Sequence, residues 1–137
     1  MWLYKESIID DIQQFPEGIF GFVYRIHHLP TNKFYIGRKQ LISNKTLPPL
    51  KGKKRKRKTQ KESNWKTYYS SHPEINNIVA EGREDEFVRE ILEFAFSPKH
   101  LTYLETRYLF SERVLENSDK YWNDNILGKF FRKDVLK

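Results

Sequence analysis

The 137-residue sequence contains no cysteine, which excludes disulfide staples and thiolate metal sites and points to a reducing compartment. No apolar run approaches the roughly 18 residues needed to span a bilayer. The opening Met1-Trp2-Leu3-Tyr4-Lys5-Glu6 lacks the charged and apolar regions of a signal peptide. Internal repeats are absent, and no second acid or histidine pair stands at ligand spacing, which argues against a tightly held structural zinc. These absences leave a cytoplasmic, intracellular chain without a membrane partner. Its length suits one domain over residues 1–137, and 38% hydrophobic and 15% aromatic residues can build a core without staples.

Net charge is +7, and its location matters more than its size. Residues 51–62, KGKKRKRKTQKE, hold eight Lys or Arg and one acid, so the whole excess sits in twelve residues. A solvated loop, a nuclear import signal and an arm for a polyanion all use such a run. Eight like charges inside a small domain repel one another, so the polyanion arm is the favoured reading. Lys53, Lys54, Arg55, Lys56, Arg57 and Lys58 are then the DNA-binding candidates.

Residues 5–15 place Ile8, Ile9, Ile12 and Phe15 at helical spacing and predict a short amphipathic helix before Pro16. Residues 39–62 lack periodicity and contain Pro48-Pro49 and Gly52, which predicts a long excursion, functional or disordered. Trp65, Tyr68 and Tyr69 anchor its far end. Pro73 to Gly82 reads as a helix with Ile75, Ile78 and Val79 inward. Glu86 to Phe96 reads as a strand, and Ser97-Pro98 starts a helix running to about Ser111 that buries Leu101, Leu104 and Tyr108. The expected class is α/β (α+β): a small antiparallel three-stranded sheet flanked by helices, with a long basic insertion after the second strand.

The chemistry begins with two β-prone runs, Phe22-Val23-Tyr24-Arg25-Ile26 and Phe34-Tyr35-Ile36-Gly37-Arg38, separated by a turn at Leu29–Lys33. Strand alternation puts Phe20, Phe22, Tyr24 and Ile26 on one face, and Tyr35 with Gly37 on one face of the second run. A tight hairpin makes Tyr24 and Tyr35 diagonal neighbours. Two phenols beside a glycine in a basic protein suit a phosphate. Glu105, one turn after Leu101, falls at the edge of its helix's buried stripe, where a carboxylate is a hard oxygen ligand; Mg²⁺ binds through one or two such groups plus substrate phosphate. His27 and His28, beside the turn, are expected to be exposed. His72, before Pro73, suits a cap as well as a catalytic role.

The tyrosine runs, Leu104-Glu105 in a helix after the third strand, and Tyr121-Trp122-Asn123 together resemble the GIY-YIG nuclease family. Tyr35-Ile36-Gly37 matches the second half of the family name; Phe22-Val23-Tyr24 keeps the tyrosine of the first half but not its glycine. The resemblance runs from about Gly21 to Asn125. It implies a metal-dependent DNA endonuclease that hydrolyses phosphodiesters of double-stranded DNA with Mg²⁺, or Mn²⁺. Glu105 would ligate the metal, Tyr24 would orient or deprotonate the attacking water, Tyr35 would assist near the scissile phosphate, and Asn123 would support the site's geometry. The family's phosphate-binding arginine has no evident counterpart. Lys45 falls near its spacing; Lys66, beyond the excursion, is the leading candidate, with Arg38 and Arg57 as alternatives. Little chain remains for a separate recognition domain, so sequence preference would come from the excursion, from a homodimer, or be weak. A freestanding nuclease fits a phage or mobile-element setting in a bacterial host, by analogy. The rivals are a non-catalytic nucleic-acid-binding module working through the 51–62 arm and a nuclear or ribonucleoprotein interaction domain.

Overall fold

A computed structural model describes residues 1–55 and 57–136. Lys56, one of the DNA-binding candidates, lies outside the described residues, as do Lys137 and the side chains of residues 44–46 and 57–59, among them those of Lys45, Arg57 and Lys58.

The fold is mixed α+β. Its strands are β1 (Trp2–Tyr4), β2 (Ser7–Ile9), β3 (Gly21–His28), β4 (Lys33–Gln40), β5 (Ile42–Leu47), β6 (Arg57–Glu62), β7 (Phe87–Ala95), β8 (Asn125–Ile126) and β9 (Phe130–Phe131). The helices are α1 (Pro73–Ala80), α2 (Pro98–Ser111) and the short α3 (Arg132–Val135). The main sheet has five strands in the order β2-β1-β7-β3-β4, rather than the three expected. The expected strands are its antiparallel part, β7-β3-β4; the other two are an N-terminal hairpin joined to β7 through β1 in parallel.

That hairpin replaces the helix expected over residues 5–15. Lys5 and Glu6 both adopt positive φ, forming the two-residue turn that suits right-twisted strands. Trp2 is then fixed by a contact that helical spacing cannot reveal: its indole N–H donates to the Trp65 carbonyl at 2.7 Å. Only a single 3₁₀ turn follows, Ile12–Gln14, held by a capping box between Asp11 and Gln14.

The remaining elements follow local chemistry. Ser97 accepts a hydrogen bond from the His100 amide at 3.0 Å and Pro98 takes the first helical position of α2. His72 caps α1, its Nδ1 accepting from the Glu74 amide at 3.2 Å. Gly82, at φ +80°, ends that helix. The excursion over 39–62 also has order: β5 and β6 pair antiparallel as a separate two-stranded ribbon. These largely polar strands carry no apolar alternation, so the pairing is invisible to periodicity.

The sheet divides two apolar clusters. Phe22, Tyr24 and Ile26 pack with Trp2, Phe15, Trp65, Ile75 and Trp122 on one side. Val23 and Ile36 pack with Leu101, Leu104 and Leu109 of α2 on the other. Phe20, one residue before β3, joins the α2 side rather than the face of Phe22. His28 is buried, not exposed: its ring meets the Thr31 hydroxyl at 2.7 Å and the Glu86 carboxylate at 2.8 Å. No helix among the described residues is long and apolar enough to cross a membrane.

Candidate active site

β4 is the edge strand of the main sheet, and its first half is covered by the returning tail. The Phe34 amide donates to the Lys120 carbonyl at 2.8 Å, and the Trp122 amide donates to the Phe34 carbonyl at 2.9 Å. At the next outward residue the tail's backbone leaves and a side chain takes over. Asn123 accepts from the Ile36 amide at 3.0 Å and donates to the Ile36 carbonyl at 2.7 Å, so its buried amide stands in for one more rung. Beyond Ile36 the edge is open, and there the candidate cleft begins.

Tyr24 pairs with Gly37 across β3 and β4, and Tyr35 pairs with Ile26, which makes the two tyrosines diagonal neighbours. Their ring centroids lie 6.4 Å apart. Gly37 is needed for space: a Cβ there would lie 2.4 Å from the Tyr24 hydroxyl and 2.7 Å from its ring carbon Cζ. The Tyr24 phenol thus crosses directly over Gly37, at the open edge of the strand. From the opposite face come Arg38 and α2, where Arg38 hydrogen-bonds Thr102 and its Nε stands 3.8 Å from the Glu105 carboxylate. Groups from both faces therefore meet around the edge of β4. They line a cleft of about 670 Å³ whose walls include Tyr24, Tyr35, Arg38, Tyr68, Glu105 and Asn123.

Burial works against charge on the acidic groups of this cleft. Burial raises the Glu105 carboxyl above its usual range, opposed by Arg38. The Tyr24 phenol is held well above its ordinary value, first by burial and then by Tyr68, Tyr35, a hydrogen bond with Tyr68, and Glu105. Tyr35 is also raised by burial, opposed by a hydrogen bond to Ser71. Tyr24 accordingly keeps its proton in the free cleft.

The comparison that decides the family is with the model described as "Putative endonuclease segE, GIY-YIG domain", which matches residues 2–126. The chain belongs to the GIY-YIG family. This is a family of endonuclease domains, so nuclease activity and a nucleic-acid substrate are the general reading. No curated protein and no solved structure matches this GIY-YIG chain.

Of the residues named from sequence, Tyr24, Tyr35, Arg38, Glu105 and Asn123 come together in the cleft. Lys66 does not. It lies against Trp2, Ile9, Asp10 and Arg89 in a separate small cavity, with its ammonium 5.8 Å from the Trp65 ring. Sequence distance from the tyrosine motif could not show that the chain re-enters on the far side of Trp65. Four wall residues or neighbours escaped notice: Ser71, Thr102, Asp124 and Lys39. Thr102 stands three residues before Glu105 on one helical face, and Lys39 continues the Tyr35–Gly37 alternation, so spacing did hold a signal for both.

The implied metal can be tested against these donors. No cluster of three or more acid, histidine or cysteine side chains occurs among the described residues. Glu105, with 19% of its side chain exposed, and Asp124 are the two carboxylates among the described residues that line the cleft. One or two carboxylates beside space for a phosphate fit Mg²⁺, which keeps most of its waters and shares its ligands with substrate. They do not fit a metal caged wholly by protein.

Proposed function

We propose that the protein is a metal-dependent DNA endonuclease that hydrolyses phosphodiester bonds in the Tyr24–Glu105 cleft. The observation that carries this reading is the convergence of Tyr24, Tyr35, Arg38 and Glu105 at the open edge of β4. Two phenols, a guanidinium and a carboxylate are a complete set for positioning a phosphodiester and a water.

Glu105 would hold a divalent cation, Mg²⁺ or Mn²⁺. Bound there, the cation neutralises developing charge on the phosphoryl oxygens and eases deprotonation of water. Arg38, tethered through Thr102, presents its guanidinium to a nonbridging oxygen and takes the role that sequence spacing had offered first to Lys66. Tyr24 hydrogen-bonds the attacking water at its oxygen. With its own proton first released to solvent, the Tyr24 phenolate would accept the water's proton as that water attacks phosphorus and the P–O bond to the leaving oxygen breaks. Tyr35, steadied by Ser71, hydrogen-bonds beside the scissile phosphate. Asn123 contacts no reacting atom; it fixes Ile36 and so the position of Gly37 under Tyr24.

Duplex DNA is the proposed substrate, with the basic ribbon as its grip. Supercoiled plasmid incubated with the protein tests the reading. Nicking is expected in Mg²⁺, none in EDTA, and a loss of at least about a hundredfold in Tyr24→Phe. Metal-dependent nicking that survives both Tyr24→Phe and Glu105→Ala rules out this cleft, and binding with no cleavage of any DNA leaves the binding-module reading.

A further inference from the structure

The candidate cleft is continuous with a second groove that shares Arg38, Tyr68 and Thr102 as walls. This groove has a volume of about 330 Å³ and runs past Lys39 and Gln40 to the root of the basic ribbon. Its floor carries an ammonium without a carboxylate. Lys39 Nζ donates to the Asn64 side-chain oxygen at 2.6 Å and lies 4.3 Å from the Tyr68 ring centroid. Burial lowers its proton affinity, as it does for a cation awaiting a counter-ion.

The ribbon is rooted in the body of the domain at its Leu41–Ser63 end. Its strands pair residue for residue from Ile42–Glu62 to Leu47–Arg57, and neither pairs with another strand among the described residues. At the root, the Ser63 amide donates to the Leu41 carbonyl at 2.8 Å and the Ser63 hydroxyl donates to the Gln40 carbonyl at 2.6 Å. The Trp65 indole donates to Glu62 at 2.6 Å, and Leu41 and Trp65 are fully buried. At the tip, Lys51, Lys53, Lys54 and Arg55 are exposed and form no ion pair among the described residues. The tail side of the cleft is unlike this: Asp124, Asn125 and Leu127 line it, and the neighbouring Arg132 is taken up by the Tyr121 and Asn123 carbonyls at 2.9 and 3.2 Å.

Resting on the nuclease reading above, we infer that the β5–β6 ribbon occupies the major groove of duplex DNA on one side only of the scissile phosphate, with Lys39 guiding the strand between cleft and ribbon. The fit is dimensional as well as electrostatic. A two-stranded ribbon enters the roughly 12 Å major groove of B-DNA, whereas the major groove of A-form RNA is too narrow for side chains. Laid end to end, three residues of β4 beyond Gly37 and six of the ribbon reach at most about 30 Å at ~3.4 Å each, an upper bound of about nine base pairs. The enzyme therefore needs flanking duplex on the ribbon side and little on the other.

The test uses end-labelled duplexes in which a mapped cut position is moved stepwise toward either end. KM is expected to rise about tenfold when one flank falls below about nine base pairs and less than twofold when the other is shortened equally. Bulky C5-substituted pyrimidines, which project into the major groove, should reproduce the rise only on the ribbon side. The variant with Lys51, Lys53, Lys54 and Arg55 all changed to Gln should lose the asymmetry, and its binding should lose about 3 to 4 from the log–log salt slope. Equal dependence on both flanks, or an unchanged salt slope, overturns the inference. Anisotropy binding of Glu105→Gln to the same duplexes separates the two readings. One-sided flank dependence of binding without any cleavage by the wild type retains the ribbon and rejects the nuclease; cleavage with symmetric binding does the reverse.

Discussion

Two hairpins, β3–β4 and β5–β6, lie next to each other in the chain and are built in opposite ways. In the first, Phe22, Val23, Tyr24, Ile26 and Ile36 are buried, and Tyr24 crosses a glycine where a Cβ would lie 2.4 Å from its hydroxyl. In the second, Lys51, Lys53, Lys54 and Arg55 at the tip are exposed and form no ion pair among the described residues, and the root is held at Leu41, Ser63 and Trp65. Chemistry needs atoms held to within a fraction of an ångström, which packing supplies. Grip on a polyanion needs charge and reach, which packing would hinder. The first hairpin should therefore govern the rate of the chemical step and the second the affinity.

The contrast breaks most severely at Gly37. A methyl group there collides with the Tyr24 hydroxyl and ring, so Gly37→Ala should cut kcat about a hundredfold. Thermal unfolding of the same variant should show destabilisation of about 1–3 kcal/mol from overpacking. A variant of wild-type activity would mean that Tyr24 does not act from over Gly37. Asn123→Ala comes next. It strips two buried partners from Ile36, at a cost of about 1–3 kcal/mol each in urea unfolding. Activity should fall about tenfold as the edge of β4 loosens, with no change in the salt slope of binding.

The smallest effect is one of sign. Burial raises the folded-state pKa of Glu105, so the folded protein holds that proton more tightly than the unfolded chain. Stability then falls as pH rises from the unfolded carboxyl's value through the raised one, and the penalty is complete above it. Glu105→Gln escapes the penalty. Its Tm should exceed the wild type's by a few degrees at neutral pH and lose that advantage near pH 4. An advantage that shrinks as pH rises would show that Glu105 is a stabilising charge rather than a strained ligand.

Much of this was legible in the sequence, for definable reasons. β3, β4 and β7 show apolar and β-branched runs, and α2 announces itself through Ser97-Pro98, because these signals are local. The N-terminal hairpin was not legible. Ile8, Ile9, Ile12 and Phe15 do have helical spacing, but Trp2 joins β7 and the Trp65 carbonyl from across the chain. The ribbon was hidden because its alternation is among polar residues. In the candidate site, the two tyrosines, Glu105 and Asn123 could be named from motifs, and they lie together. Counting could not place Lys66, which lines a separate cavity although Tyr68, Ser71 and His72 just beyond it line the cleft.

The proposed division of labour between a packed cleft, with Glu105 of α2 in its wall, and a charged ribbon is tested most directly by measuring single-turnover rate and DNA affinity in parallel on two variants. Glu105→Ala should lose at least about a thousandfold in rate at saturating DNA, with Kd within about threefold of wild type. The variant with Lys51, Lys53, Lys54 and Arg55 changed to Gln should show the reverse, with Kd raised about tenfold and the saturating rate reduced less than about threefold. Near-normal cleavage by Glu105→Ala, or a tip variant that loses rate while keeping affinity, would contradict the account.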